Sequence, residues 1–153
     1  MGADGPFRSW LFAPGNHSRR VEKALSLDAD VVILDLEDAV AIGEKLTTRG
    51  VVVSALQGPR SGLGYIRINA YDTDFCYGDL CTVIAKGVDG IILPKVETAD
   101  QIKSVDWLVS QLEQNADLTI GSIDIMPIIE TGLGVANVRK IAEAGTRVRR
   151  LSF

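Results

Sequence analysis

Short apolar runs rich in β-branched residues alternate along this chain with longer segments of helical periodicity. The runs are predicted strands, at residues 10–13, 31–36, 65–69, 90–93, 123–129 and 150–153. The segments between them are predicted helices, at residues 18–27, 42–56, 75–85, 98–114 and 135–142, the last one capped by Gly145. Such alternation predicts an α/β fold, with a parallel sheet and right-handed crossover connections.

The second and fourth runs are apolar almost throughout, which is typical of strands that are buried on both faces of a parallel sheet. We expect Val32, Leu34 and Ile92 to lie on the inner face of such a sheet. Periodicity alone does not separate an open doubly wound sheet from a barrel. The Gly-x-Gly-x-x-Gly motif of dinucleotide-binding sheets does not follow the first run, which disfavours that open fold.

The chain has 153 residues with no internal repeat or linker, so residues 1–153 are predicted to form a single domain. A complete (β/α)8 barrel needs about 200–250 residues. The sixth run stops at Phe153 with no helix after it. We therefore expect a truncated domain that ends within a strand.

The composition disfavours some classes of binding partner and indicates a cellular compartment. With 16 basic and 20 acidic residues the formal charge is −4, which disfavours nucleic acid and anionic membranes as partners. No apolar run approaches the ~20 residues of a membrane span. The two cysteines, Cys76 and Cys81, have neither redox-motif nor zinc-site spacing, so we expect free thiols in a reducing cytoplasm.

Charged and polar side chains gather where the predicted strands end. These residues are Glu37, Asp38, Arg67, Asn69, Lys95, Glu97 and Glu130. In a parallel sheet all carboxyl ends lie at one edge, with neighbouring strands ~4.8 Å apart. That edge is where barrels and open α/β sheets build their sites.

Arg67 lies within a strand, between Ile66 and Ile68, where a guanidinium is costly unless it is paired. It either binds an anionic ligand or forms a structural pair with Glu37 or Asp38. Those two acids are in turn either functional or simply the start of a solvated loop.

Glu130 follows a very apolar run, so it is either a metal ligand or a buried acid held by hydrogen bonds. Lys95 and Glu97 admit two readings as well. They either contribute to a site or form a surface ion pair of little energetic value, about 0–1 kcal/mol.

Five segments, in this order and spacing, resemble one known family. They are Arg8-Ser9-x-Leu11-Phe12-x-Pro14-Gly15-Asn16, Leu34-Asp35-Leu36-Glu37-Asp38-Ala39-Val40, Ile66-Arg67-Ile68-Asn69, Leu93-Pro94-Lys95-Val96-Glu97 and Ile128-Ile129-Glu130-Thr131. The chain thus resembles the citrate lyase β-subunit-like family of the HpcH/HpaI aldolase/citrate lyase superfamily, and the resemblance covers nearly its whole length.

The resemblance implies an incomplete (β/α)8 TIM barrel, of which this chain carries about strands 1–6 and helices 1–5. It also implies Mg²⁺-dependent carbon–carbon cleavage of a citryl-, malyl- or related acyl-CoA thioester. The products are an acetyl or other acyl thioester and a 2-oxo acid.

The resemblance further implies a set of site residues around the metal. Glu130 would be the first Mg²⁺ ligand and would lie against the substrate. Arg67 would bind the carboxylate and carbonyl end of the oxo acid. Glu37 and Asp38 would lie beside the metal and hold its waters or Arg67.

Other residues are implied to lie where the family meets the thioester and CoA. These are Leu11, Phe12 and Lys23. The family's C-terminal lid completes the site of a neighbouring subunit, so the complete protein is expected to be a homo-oligomer.

The sequence departs from the family pattern in two ways. Gly132 stands where the family often has alanine. The second metal carboxylate is expected in a Gly-Ala-x-Asp motif that would follow Phe153. We therefore expect the 153 residues alone to be inactive, and two alternatives stay open: a CoA-independent Mg²⁺-dependent 2-oxo-acid aldolase and a non-catalytic remnant.

Overall fold

The structure is a computed structural model that describes residues 6–145 and 147–153. Its strands are β1 (Trp10–Pro14), β2 (Val31–Asp35), β3 (Leu63–Arg67), β4 (Gly90–Leu93) and β5 (Asp124–Pro127). Its helices are α1 (Ser18–Leu25), α2 (Lys45–Leu56), α3 (Cys76–Val83), α4 (Ala99–Asn115) and α5 (Gly132–Ala142), with a short 3-10 turn (Ile42–Glu44) before α2.

The five strands form one parallel sheet in the order β1-β2-β3-β4-β5. Each strand lies beside its predecessor, as in a barrel, and the order does not reverse as it does in a doubly wound sheet. Past β5 the predicted sixth run begins to pair: Ile129 N–H donates to Ser152 O at 2.7 Å, and Ser152 N–H donates to Pro127 O at 3.0 Å. The parallel α/β prediction is confirmed.

Two apolar layers flank the sheet. The larger one lies between strands and helices, and it contains Val32 and Leu34. The smaller one covers the opposite, inner face and contains Val31, Ile33 and Ile92. The prediction was therefore right for Ile92 and wrong for Val32 and Leu34, because a strand that is apolar on both faces does not show which parity points inward.

Some element boundaries also differ from the predicted ones. Strand β3 begins at Leu63 and ends at Arg67, so Asn69 lies beyond the strand. Helix α5 begins at Gly132, three residues early, because the Thr131 hydroxyl accepts the N–H of Gly134 at 3.0 Å and caps it. The helix ends at Ala142 instead of reaching a cap at Gly145.

Two sequence features are present as predicted. Thr98 and Gln101 form a capping box at the start of α4. Cys76 and Cys81 are free, the first buried and the second exposed. None of the helices in the described ranges is long and apolar enough to cross a membrane.

Arg147 anchors the segment after α5 to helix α4. Its side chain is buried and contacts Asp106, and its guanidinium donates to Glu113 at 2.9 and 2.7 Å. Glu113 also accepts the N–H groups of Gly121 and Ile123, each at 2.8 Å. Although burial acts to raise the pKa of Glu113, its hydrogen bonds to Arg147 and these N–H groups lower it.

We expect Arg147→Met to lower the free energy of unfolding by about 3–5 kcal/mol, because it leaves two carboxylates without their cation. Urea denaturation measures this loss. This stabilisation depends on pH, because the pKa of Glu113 is lower in the folded state than in the unfolded state. The contribution of Glu113 to the free energy of unfolding is complete above the ordinary glutamate pKa, and it is lost as the pH falls through the lowered pKa. Arg139→Ala, at an exposed pair with Glu143 on α5, is the control and should leave the midpoint unchanged. Equal midpoints for the two variants would contradict this role of Arg147.

Candidate active site at the carboxyl ends of the strands

Arg67 ends β3 and forms a two-point ion pair with Asp35, which ends β2. Its Nε and Nη2 atoms each lie 2.7 Å from an Asp35 carboxylate oxygen. Glu37 lies 3.3 Å and Asp38 3.9 Å from Nη1. The predicted ion pairs of Arg67 with Glu37 and Asp38 are therefore present, but Asp35, which the prediction did not include, is the principal partner. Asp35 takes this place because the register sets it opposite Arg67 on the inner face, whereas residues 37 and 38 lie past the end of the strand.

The pair between Asp35 and Arg67 is ionised. Burial acts to raise the pKa of Asp35, but the guanidinium and the N–H groups of Glu37 and Ala39, at 2.8 and 3.0 Å, lower it. Burial likewise acts against the charge of Arg67, and Asp35 offsets this and raises its pKa. The guanidinium is thus permanently charged. Asp35 binds its Nε and Nη2 edge, and its Nη1 lies toward Glu37 and Asp38 past the end of β2.

Glu37 is a buried carboxyl group, only 5% exposed, and not the start of a solvated loop. Its Oε1 accepts Lys95 Nζ at 2.6 Å, whereas its buried Oε2 accepts no hydrogen bond from the described residues. Burial raises the pKa of Glu37, although Lys95 and Arg67 act to lower it. Buried acids with a raised pKa are typical of sites where protons are held or moved. Asp38, by contrast, is exposed.

Lys95 connects the tips of β2, β4 and β5. Its Nζ pairs with Glu37 and lies 3.5 Å from Asp38, so the surface ion pair with Glu97 is not the arrangement found. Its own N–H donates to Glu130 Oε1 at 2.9 Å. The backbone at Lys95 has a φ of 54°, a left-handed conformation that non-glycine residues adopt mainly where the surroundings impose it.

Glu130 is exposed just past β5, and this rules out the buried-acid reading. No group of three or more His, Cys, Asp or Glu side chains within the described ranges could hold a metal by itself. Mg²⁺ does not require one, since it takes one or two carboxylates and fills its octahedron with water and substrate oxygens. Glu130 is an exposed carboxylate whose Oε1 accepts the N–H of Lys95, and it fits one such ligand.

Of the three residues predicted to meet the thioester, Phe12 lies at this site. Its ring is 47% exposed, and its centroid lies 5.2 Å from Arg67 Cζ, so it covers the guanidinium. Leu11 projects to the opposite face and packs with the helix-side core, so only its main chain could meet a substrate there. Lys23 is exposed in the last turn of α1, and its side chain forms no ion pair with any described residue.

Sequence reasoning missed Asp35 and Lys45. An acid in the strand Val31–Asp35 was a visible signal for the first. Lys45 left no signal, because it precedes no motif and its partners are main-chain and amide oxygens.

The chain is similar in sequence to proteins of one known family. The family model for HpcH/HpaI aldolase/citrate lyase matches residues 8–153. The chain is 38% identical over 143 residues to the citrate lyase subunit beta of Leuconostoc mesenteroides subsp. cremoris, covering 92% of this chain and 47% of the relative. It is 36% identical over 153 residues to an L-malyl-CoA/beta-methylmalyl-CoA lyase of Cereibacter sphaeroides, covering 97% and 48%.

Solved structures give the same picture. The citrate lyase beta subunit of M. tuberculosis, complexed with oxaloacetate and magnesium, superimposes with a TM-score of 0.68 at 30% identity, covering 93% of this chain and 55% of that one. A Haloferax volcanii malate synthase superimposes with a TM-score of 0.84 over 97% of this chain and 48% of that one; at 18% identity it shows the fold alone.

These matches place the chain within a family and bound how much of it is present. The chain spans about half the length of the curated relatives that it matches. The sequential parallel sheet, the motif-bearing strand tips and the family-model match over residues 8–153 agree. This chain belongs to the HpcH/HpaI aldolase/citrate lyase family.

Proposed function

We propose that the full-length protein is a Mg²⁺-dependent lyase that cleaves a carbon–carbon bond in a citryl-, malyl- or related acyl-CoA thioester. The products are an acyl thioester and a 2-oxo acid. The observation that carries the proposal is Arg67, a strand guanidinium that Asp35 holds on one edge and whose Nη1 lies 3.3 Å from Glu37, the carboxylate that also binds Lys95. A permanent cation at the carboxyl edge of a barrel is suited to an oxo-acid carboxylate.

Arg67 would grip the carboxylate of the oxo-acid portion. A guanidinium has five N–H donors, and Asp35 occupies one on Nε and one on Nη2. The remaining donors on Nη1 and Nη2 form a second fork, which can bind a carboxylate by two parallel hydrogen bonds. Phe12 covers the guanidinium face and so limits the access of water to it.

The bond that breaks joins the hydroxyl-bearing carbon to the carbon next to the thioester carbonyl. A base takes the proton of the hydroxyl, whose carbon becomes the oxo-acid carbonyl. The bonding electrons leave on the thioester fragment as an enolate, which then takes up a proton from an acid or from water. Mg²⁺, when bound, would polarise the oxygen on the oxo-acid side as a Lewis acid. We propose Glu130 as its ligand, and Glu37 and Asp38 as acceptors that orient Arg67 and ordered water.

Substrate binding at the thioester end is proposed for Phe12, Lys23 and the main chain of Leu11. The second metal carboxylate is proposed to lie outside these 153 residues, and the 153 residues alone are then inactive. We also propose that the full-length protein is a homo-oligomer. We further propose that it is cytoplasmic, since the free thiols of Cys76 and Cys81 suit a reducing compartment.

The test is a substrate panel with the full-length protein. Malyl-CoA, methylmalyl-CoA and citryl-CoA are compared with free hydroxy-oxo acids that carry no CoA, each with Mg²⁺ and with excess chelator, and both products are quantified. We expect cleavage of at least one thioester, with Mg²⁺ only. Cleavage of free hydroxy-oxo acids but no thioester would instead favour a CoA-independent aldolase, and no cleavage of either class would favour a non-catalytic protein.

A further inference from the structure

Lys45, the first residue of α2, is a buried cation that the proposed chemistry does not use. It is only 7% exposed. Its Nζ donates to the main-chain oxygens of Leu36 and Glu37, at 2.8 and 2.6 Å, and to Asn69 Oδ1 at 2.6 Å. All three N–H donors of the ammonium are thereby used. No carboxylate of the described residues lies within ion-pair distance of it.

Asn69 connects Lys45 to a second buried ion pair, formed by Asp79 and Arg49. Its Nδ2 donates to Leu36 O at 3.2 Å and to Asp79 Oδ2 at 2.7 Å, and its main-chain N–H donates to the same Asp79 oxygen at 2.8 Å. Asp79, fully buried on α3, also accepts Arg49 Nε of α2 at 2.7 Å. One polar network therefore fastens the tips of β2 and β3 to helices α2 and α3.

Glu37 stands at the end of this network. Lys45 donates to the main-chain oxygen of Glu37, while the Glu37 carboxylate pairs with Lys95 and Arg67. A displacement of ~1 Å at a reacting group can lower a rate by a factor of about 100. Lys45 is therefore bound to the main chain of the residue whose carboxyl group lies at the site, and its own ammonium is buried and has all its donors occupied.

We propose that Lys45 is a positioning residue, which fixes the Glu37 carboxyl group against Arg67 and Lys95 through the Leu36 and Glu37 carbonyls and Asn69. This inference rests on the proposed function for its kinetic readout. A comparison residue is present at the opposite edge of the sheet. Arg60, which precedes β3, also clamps main-chain oxygens, those of Leu56 and Gly87, and pairs with Asp89 at 2.7 Å.

The experiment compares Lys45→Met, Glu37→Gln, the double variant and Arg60→Met in the full-length protein. We expect Lys45→Met to lower kcat about 100-fold with KM within about 3-fold, as for loss of a transition-state interaction. The double variant should be no slower than Glu37→Gln alone, because both changes disable one carboxyl group. Arg60→Met should lower the urea midpoint but keep kcat within about 3-fold.

A near-normal kcat of Lys45→Met overturns the inference. So does a double variant whose loss of kcat equals the product of the losses in Lys45→Met and Glu37→Gln. If Lys45→Met does not fold, Lys45→Gln, whose amide NH2 group can still donate to the carbonyls, carries the same comparison. An inactive wild type would refute the proposed function alone. The inference is then decided by urea midpoints, where non-additive shifts of the Lys45 and Glu37 variants support it and additive shifts overturn it.

Discussion

Arg67→Lys is expected to lower kcat/KM of the full-length protein about 100-fold, which corresponds to about 2.7 kcal/mol at ~1.36 kcal/mol per factor of ten. Lysine keeps the charge but loses the planar fork, so it cannot bind Asp35 and a substrate carboxylate at once. Steady-state kinetics with the accepted thioester measures the loss.

Stability should change less than activity in this variant. Asp35 keeps its two main-chain donors and one hydrogen bond from lysine, so the free energy of unfolding should fall by at most about 1–2 kcal/mol. Arg60→Lys is the matched control, a guanidinium paired with a carboxylate at the far edge of the sheet, and should keep kcat/KM within about 3-fold. Near-normal activity of Arg67→Lys with a loss of several kcal/mol would make Arg67 a structural residue.

Glu130→Gln is expected to reduce Mg²⁺-dependent turnover to about 1% of wild type or less, because an amide is a poor ligand for a hard cation that takes one or two carboxylates. The fold should be unaffected. Glu130 is exposed, and the glutamine oxygen can still accept the N–H of Lys95. Turnover and thermal melting of the same preparation separate the two effects.

Glu97→Gln provides the control for this metal prediction. It removes a second carboxylate near the tip of β4, in a residue whose main-chain oxygen accepts Asn137 and whose side chain has no assigned role. Its Mg²⁺ dependence should match that of wild type. Mg²⁺-dependent turnover retained in Glu130→Gln would remove Glu130 from the metal site.

The order and direction of the strands were predictable because β-branched runs and amphipathic segments alternate without interruption. Which side chains of β2 lie on the inner face was not predictable. The residues Val31, Val32, Ile33 and Leu34 are all apolar, and only the register of the strand decides which pair points inward. The same ambiguity concealed Asp35, whose place opposite Arg67 follows only from the pairing of β2 with β3.

The candidate site was predictable to the extent that carboxyl ends of parallel strands converge, which brought Glu37, Arg67, Lys95 and Glu130 to one edge. Their pairing was not, because it depends on the left-handed backbone at Lys95, which turns its N–H to Glu130. Lys45 was out of reach for another reason. Its partners are mostly main-chain oxygens, and these have no sequence signature.

The most direct measurement of the central claim, that the strand-tip cluster around Arg67 is the substrate site, is calorimetric titration of the full-length protein with oxaloacetate. Wild type, Arg67→Lys and Arg60→Lys are compared with Mg²⁺ and with excess chelator. We predict binding to wild type and Arg60→Lys with Mg²⁺, and a loss of affinity of at least about 10-fold both with chelator and in Arg67→Lys. Equal affinity of wild type and Arg67→Lys in the presence of Mg²⁺ would contradict the account.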